Sequence, residues 1–197
     1  MHFNNKLMFD KYAKELFKQN MLVLEIGPDK HPSTFNEMVG IKTVNWQTLD
    51  IFQDINLTFL AKSAYSFPIA DNTFDIVFSS QVIEHVVKPW IWIKELARVC
   101  KVGGRVITIN PISWPYHEAP CDCWRIYPEG MKALYEEAGL KVELCRMDTL
   151  EKVKTRRAVP GTGELTGEAR PSLKLLIKKI IGWPTTYPID AITIGMK

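Results

Sequence analysis

MLVLEIG (21–27), followed at once by Pro28, is a short apolar run closed by a glycine turn. It is too short for an apolar helix and carries no helical period. It reads as a strand covered on both faces, the kind that fills parallel sheets. Three runs further along repeat the pattern. They are TVNWQTLDI (43–51), rich in β-formers, FDIVFSS (74–80), preceded by the turn Asp71-Asn72, and RVITINP (105–111). Helical spacing separates them. Residues 5–20 bring Phe9, Tyr12, Ala13, Leu16 and Phe17 to one face. Pro89 opens a helix through Cys100, with Ile93, Leu96, Ala97 and Cys100 together and Gly103-Gly104 as its stop. Trp90 and Trp92, two apart, cannot share a face, so one belongs to the core and one to the rim. Pro128 opens a further helix that ends at Gly139. KVELCRM (141–147) and DAITIGMK (190–197) close the chain as strands. This alternation predicts an α/β fold in three layers, α/β/α, around a mostly parallel sheet.

The 197 residues suit one domain, taken as 1–197. The net charge of +3 gives no concentrated basic face, so a nucleic-acid partner is disfavoured. No apolar run approaches the roughly 18 residues that cross a bilayer. The N-terminal MHFNNKLMFDKYAKELF lacks the uncharged apolar core of a signal peptide, so a cytoplasmic protein with reduced thiols is expected. One segment, 152–183, differs: a basic loop and an amphipathic helix inserted before the last strand. Lys152 to Lys179 holds eight Lys/Arg against Glu164 and Glu168. Its helix would pack Leu173, Leu176, Ile177, Ile180 and Ile181 on the sheet or on a partner subunit. Alternatively it makes a peripheral membrane contact through 172–183, with Trp183 at the interface. The sequence does not set an oligomeric state.

In open α/β sheets ligands bind outside the carboxyl ends of the strands. The first strand ends at Glu25-Ile26-Gly27, where a glycine lets backbone approach a ligand. The second ends at Asp50, 23 positions after Gly27. An acid at that distance can accept hydrogen bonds from both ribose hydroxyls. The third and fourth end at Ser79-Ser80-Gln81 and Asn110-Pro111. The pattern G-x-G-x-x-G is absent, which disfavours a nucleotide-dependent oxidoreductase.

The order E-I-G, L-D-I, FPIADNTFDIVFSSQVIEHVV (67–87), then ELARVCKVGGRVITINP (95–111) resembles the class I S-adenosylmethionine (SAM)-dependent methyltransferases of the type 11 group. The resemblance covers roughly residues 20 to 148. It implies a Rossmann-like sheet with an antiparallel last strand, SAM as cofactor and S-adenosylhomocysteine as product. It further implies that Glu25 and Gly27 line the methionine and ribose side and that Asp50 holds the ribose. Ala64 would meet the adenine edge, and Ser80 and Gln81 would close over the methionine. Two positions depart from the group's pattern. The glycine turn is Gly27-Pro28-Asp29-Lys30-His31, and Ser63 stands where an acid often touches the adenine amine.

Transfer from a sulfonium needs alignment and water exclusion, and a base only when the acceptor must lose a proton. PISWPYHEAPCDCWRIYP (111–128) overhangs the expected methyl site. Its H-E-x-P-x-D-x-W-R order resembles a type 11 subgroup from polysaccharide and glycolipid gene neighbourhoods. Tyr116, Asp122, Trp124 and Arg125 suit a sugar or an anion, by stacking and by guanidinium forks. The expected reaction is therefore O-methylation of a small sugar-containing or phosphorylated acceptor, with His117 as base. Alternatives are a non-catalytic SAM-binding scaffold and an RNA methyltransferase. Glu84-His85 reads as the start of a helix, in a capping or packing role. No metal site is expected: His117, Cys121 and Cys123 lack a fourth ligand.

Overall fold

The computed structural model describes residues 3–54, 56–118, 120–151 and 188–197. The basic loop and helix assigned to 152–183, with their membrane or subunit contact, lie outside the described residues.

The chain runs α1 (Phe3–Tyr12), β1 (Leu22–Ile26), α2 (Thr34–Val39), β2 (Asn45–Asp50), β3 (Phe59–Leu60) and β4 (Phe74–Ser80). It continues through α3 (Pro89–Val99), β5 (Cys100–Ser113), α4 (Pro128–Glu137), β6 (Lys141–Asp148) and β7 (Ile189–Met196). The seven strands form one sheet in the order β3-β2-β1-β4-β5-β7-β6. β1 to β5 pair in parallel, and β7 lies antiparallel between β5 and β6. The chain reverses its direction of travel across the sheet between β1 and β4. That is the switch point at which the strand ends open a crevice.

Alternation along each strand builds the two cores. Leu24, Ile26 and Val77 turn to one face, where α3 and α4 bring Trp92, Ile93, Leu96, Met131 and Tyr135. Val23, Ile76 and Phe78 turn to the other, under α1 and α2 with Met8, Phe9 and Phe35. On that second face Phe9, Phe35 and Phe78 pack as tilted and edge-on rings, each pair within 5.2 Å between centroids. The faces of α3 follow its sequence spacing: Trp92 is buried and Trp90 stands at the rim.

Four boundaries depart from the sequence reading. α1 stops at Tyr12 and gives way to a 3₁₀ turn, Lys14–Leu16. α3 ends at Val99, so Gly103-Gly104 does not stop it; both glycines lie inside β5. A side chain at Gly104 would meet the Asp75 carbonyl at 2.8 Å and Cys100 Sγ at 2.9 Å, so strand contact explains that glycine. Glu84-His85 starts no helix. It forms one 3₁₀ turn, Ile83–His85, with no side-chain cap, and the helix begins four residues later at Pro89. Finally, α2 was not foreseen: six residues are too few for a period, although Ser33 caps it by accepting the Asn36 N–H and Gly40 closes it at φ 65°.

Candidate active site

A cavity of about 350 Å³ opens at the carboxyl ends of β1 and β2. Gly27, Asp50, Ala64 and Gln81 line it, with apolar walls from Ile51, Phe52, Phe67, Val82 and Trp92. The sheet sets this grouping. Ile26 is in register with Leu49 on one side and Ser79 on the other, so Gly27, Asp50 and Ser80, one position on, lie at one level. The Gly27 N–H continues the ladder to the Leu49 carbonyl at 2.9 Å. Gly27 has φ 70°, and a Cβ there would fall 2.5 Å from Val82 Cγ2. Only glycine keeps that wall open.

Asp50 ends β2 with its Oδ1 accepting the N–H groups of Ile51 and Phe52, at 2.6 and 3.1 Å. The turn thus fixes the carboxylate while Oδ2 is left for a ligand. Gln81 adopts φ 58° at the end of β4. Its Nε2 donates to Asn5 Oδ1 and Asp190 Oδ1, which ties the cavity wall to α1 and β7.

Two residues assigned to the cofactor lie elsewhere. Glu25 faces the α2 side of the sheet, buried, and accepts from Trp46 Nε1 at 2.7 Å. Burial pushes its carboxyl up to about 7. The Ser80 hydroxyl is buried, with no partner among the described residues, and does not line the cavity. Ser63, in the place of an acid, accepts the Tyr65 N–H at 3.1 Å and is also outside the cavity wall.

The loop after β5 folds back on the segment after β4. The Cys123 and Trp124 N–H groups both donate to the Glu84 carbonyl, and Trp124 Nε1 donates to the Val86 carbonyl. Cys121 Sγ reaches the His85 carbonyl at 3.1 Å. Arg125 and Asp122 form a two-pronged ion pair inside the loop, at 2.5 and 2.7 Å. The rest of the guanidinium is spent on the carbonyls of Trp114, Pro115 and Trp124. Burial opposes the charge on Asp122, but the Arg125 hydrogen bonds and the His117 N–H outweigh it and hold the carboxyl below its usual range. Arg125 and Asp122 therefore shape the loop. Trp124 rests edge-on against Trp90. Tyr116 is exposed, with its hydroxyl on Glu118.

His117 and His85 meet edge to face, ring centroids 5.0 Å apart. Each anchors Nδ1 on a backbone carbonyl: His85 on Cys121 at 2.5 Å, His117 on Pro115 at 3.1 Å. A carbonyl only accepts, so Nδ1 carries the proton and Nε2 the lone pair in each ring. Glu84 lies beside them, 1% exposed, and neither carboxylate oxygen has a hydrogen-bond partner among the described residues. Burial pushes its carboxyl up to about 8. His85 lines the cavity, as does Pro120, whereas His117 stands behind His85. The sequence reading gave Glu84-His85 a capping or packing role at a helix start, and so left His85 out of the site.

Residues 36–108 match the methyltransferase-domain family model of type 11. The matched segment runs from α2 into β5, over Asp50, Ala64, Gln81 and His85. A methyltransferase of uncharacterised role from Mycobacteroides abscessus is 46% identical over 55 residues, which are 28% of this chain and 21% of that protein. The match thus spans only about a fifth of its relative's length. Among solved structures, a SAM-dependent methyltransferase from Archaeoglobus fulgidus superposes with a TM-score of 0.58 at 16% identity, over 98% of this chain and 99% of that one. The phosphoethanolamine N-methyltransferase 2 of Haemonchus contortus, solved with S-adenosyl-L-methionine, gives 0.60 at 12% identity, over 98% of this chain and 52% of that one. The fold is the Rossmann-like sheet of the SAM-dependent methyltransferases. Among the described residues no helix is long and apolar enough to cross a membrane.

Proposed function

We propose that this chain is a SAM-dependent methyltransferase that transfers the methyl group to an oxygen of a small sugar-containing or phosphorylated acceptor. One observation carries the cofactor half of the reading: Gly27, Asp50, Ala64 and Gln81, distant in sequence, line one cavity at the switch point. Gly27 presents backbone there, Asp50 offers Oδ2 to the ribose, and the apolar walls suit an adenine ring. When bound, SAM supplies an activated methyl group, and the chain's part is to orient the acceptor and exclude water.

The acceptor half rests on the loop 111–128. Its order resembles the subgroup from polysaccharide and glycolipid gene neighbourhoods. The aromatic rim of Tyr116, Trp124 and Trp90 is exposed and suited to stacking on a sugar face. In this reading Nε2 of His117, with Nδ1 held by Pro115, is the base that takes the acceptor's proton. A second reading, a non-catalytic SAM-binding scaffold, is kept open by the single glycine of the 27–31 turn. The RNA-methyltransferase alternative rested on the charge of 152–179, which lies outside the described residues.

Calorimetric titration with S-adenosylhomocysteine tests the cofactor. Micromolar binding that falls at least about tenfold, some 1.4 kcal/mol, in Asp50→Ala supports the site. Binding without product on any sugar or phosphorylated acceptor moves the second reading ahead. No binding removes both.

A further inference from the structure

Glu84, His85 and His117 bring one ligand atom each, a carboxylate oxygen and two ring nitrogens, to within 4.8 Å of one another. They come from two segments, the turn after β4 and the loop after β5, which are stitched together by the backbone bonds to the Glu84 carbonyl. We propose that these three side chains hold a first-row divalent cation at the wall of the cofactor cavity, with open positions for oxygens of the acceptor.

Three independent features support the site. The first is the donor set, two imidazoles and a carboxylate, which suits borderline divalent ions such as Mn²⁺, Fe²⁺ and Zn²⁺. The second is the outer shell. Metal-ligating histidines donate the other ring N–H to a carbonyl or carboxylate, which fixes ring and tautomer. Both histidines do so here, through Nδ1 to Cys121 and to Pro115. The third is the orphaned acid. A carboxylate 1% exposed with two unpartnered oxygens leaves a desolvation cost that nothing among the described residues offsets. Arg125 is the basic side chain whose charge bears on Glu84 among the described residues, and its hydrogen bonds are spent on Asp122 and on loop carbonyls.

The geometry is close to what a cation needs. Donors about 2.1 Å from one ion sit roughly 3.0–3.5 Å apart. Glu84 Oε1 and His85 Nε2 are already at 3.8 Å. His117, on the loop, has roughly an ångström to close. His85 lines the cavity, so an ion held there would face a bound acceptor and lower the pKa of a coordinated hydroxyl. Nε2 of His117 would then be a ligand and not a base; the two roles are alternatives. This role for the ion rests on the methyltransferase reading, but binding of the ion does not.

The test is a titration of chelator-stripped full-length protein with Mn²⁺ alone, followed by loss of the free-ion electron paramagnetic resonance signal. Mn²⁺ is chosen because thiols such as Cys121 and Cys123 compete poorly for it. One ion per chain is expected, with a dissociation constant at or below about 10 μM. Glu84→Gln, which keeps the shape of the side chain, and His117→Ala should each weaken it at least about tenfold. Cys121→Ser and Cys123→Ser should leave it unchanged. Circular dichroism establishes that each variant is folded. Saturation only above about 1 mM, equal binding in the Glu84 and His117 variants, or loss in the cysteine variants overturns the site. S-adenosylhomocysteine titrated into the same samples keeps the two readings apart. Cofactor binding without Mn²⁺ binding removes the ion alone, and Mn²⁺ binding without cofactor binding removes the methyltransferase reading alone.

Discussion

The His85 ring donates Nδ1–H to the Cys121 carbonyl at 2.5 Å, across 36 positions of the chain. This bond joins the turn after β4 to the loop after β5, so the cavity wall and the overhanging loop are held together. The strength of that junction lies one step further out, in the ion pair of Asp122 with Arg125. Asp122 has 2% of its side chain exposed and Arg125 23%. Removing one partner strands a charge; removing both does not. Arg125→Ala is expected to cost about 2–3 kcal/mol in urea unfolding, and Asp122→Asn a similar amount. The double variant should cost clearly less than the sum. Strict additivity would mean that the pair does not hold the loop.

Asp50 separates folding from binding. Its Oδ1 accepts two backbone N–H groups, and an asparagine at this position can keep that oxygen as acceptor. Asp50→Asn is therefore expected to unfold within about 0.5 kcal/mol of wild type. The same variant loses the second acceptor and the charge offered to a ribose, so S-adenosylhomocysteine should bind at least about tenfold more weakly. A parallel loss of stability and affinity would show that Asp50 acts on the turn alone.

At Gly27 backbone and contact point the same way. The left-handed φ of 70° costs a side chain about 1 kcal/mol, and the Cβ would press on β-branched Val82 at 2.5 Å. Gly27→Ala should lower stability by about 2 kcal/mol and weaken the cofactor together with it. Gly103→Ala makes the contrast: it has φ 80° but nothing within 4 Å, so strain is its only cost and the cofactor should be unaffected.

Much of this was legible before any coordinates. Leu24, Val77 and Val106 stand in apolar runs too short for helices, and each became a central strand residue. Asp50 and Gly27 could be grouped because strand ends in an open sheet must converge, and both line the cavity. Glu25 does not line that cavity for a physical reason: strand periodicity of two sends it to the face opposite Leu24 and Ile26, against Trp46. Gly103-Gly104 was misread because a glycine pair signals a helix stop and a close strand contact equally well. Arg125 looked like an anion fork, but which partner a guanidinium takes is a matter of tertiary geometry, and here its fork closes on Asp122. The approach of His117 to His85 has no sequence signal, since 32 positions separate them.

Glu25 also sets a pH dependence whose sign can be worked out. Burial, opposed by hydrogen bonds from Ser33 and Trp46, raises its carboxyl from 4.5 to about 7. Between those values the folded chain holds a proton that the unfolded chain has released, so stability falls as pH rises. The stabilising contribution is complete below about pH 4.5 and gone above about pH 7, and its size is on the order of 3 kcal/mol. Asp190, pushed up to about 7 by burial, acts with the same sign. Urea midpoints of wild type should therefore drop from pH 5 to pH 8. Glu25→Gln keeps a side-chain oxygen for Trp46 Nε1 and cannot ionise, so it should lose a substantial part of that drop while Asp190 and Glu84, the latter pushed up to about 8, keep the rest. An unchanged slope in Glu25→Gln would mean that the carboxyl ionises freely in the folded chain, and that the Trp46 bond, not burial, sets its charge.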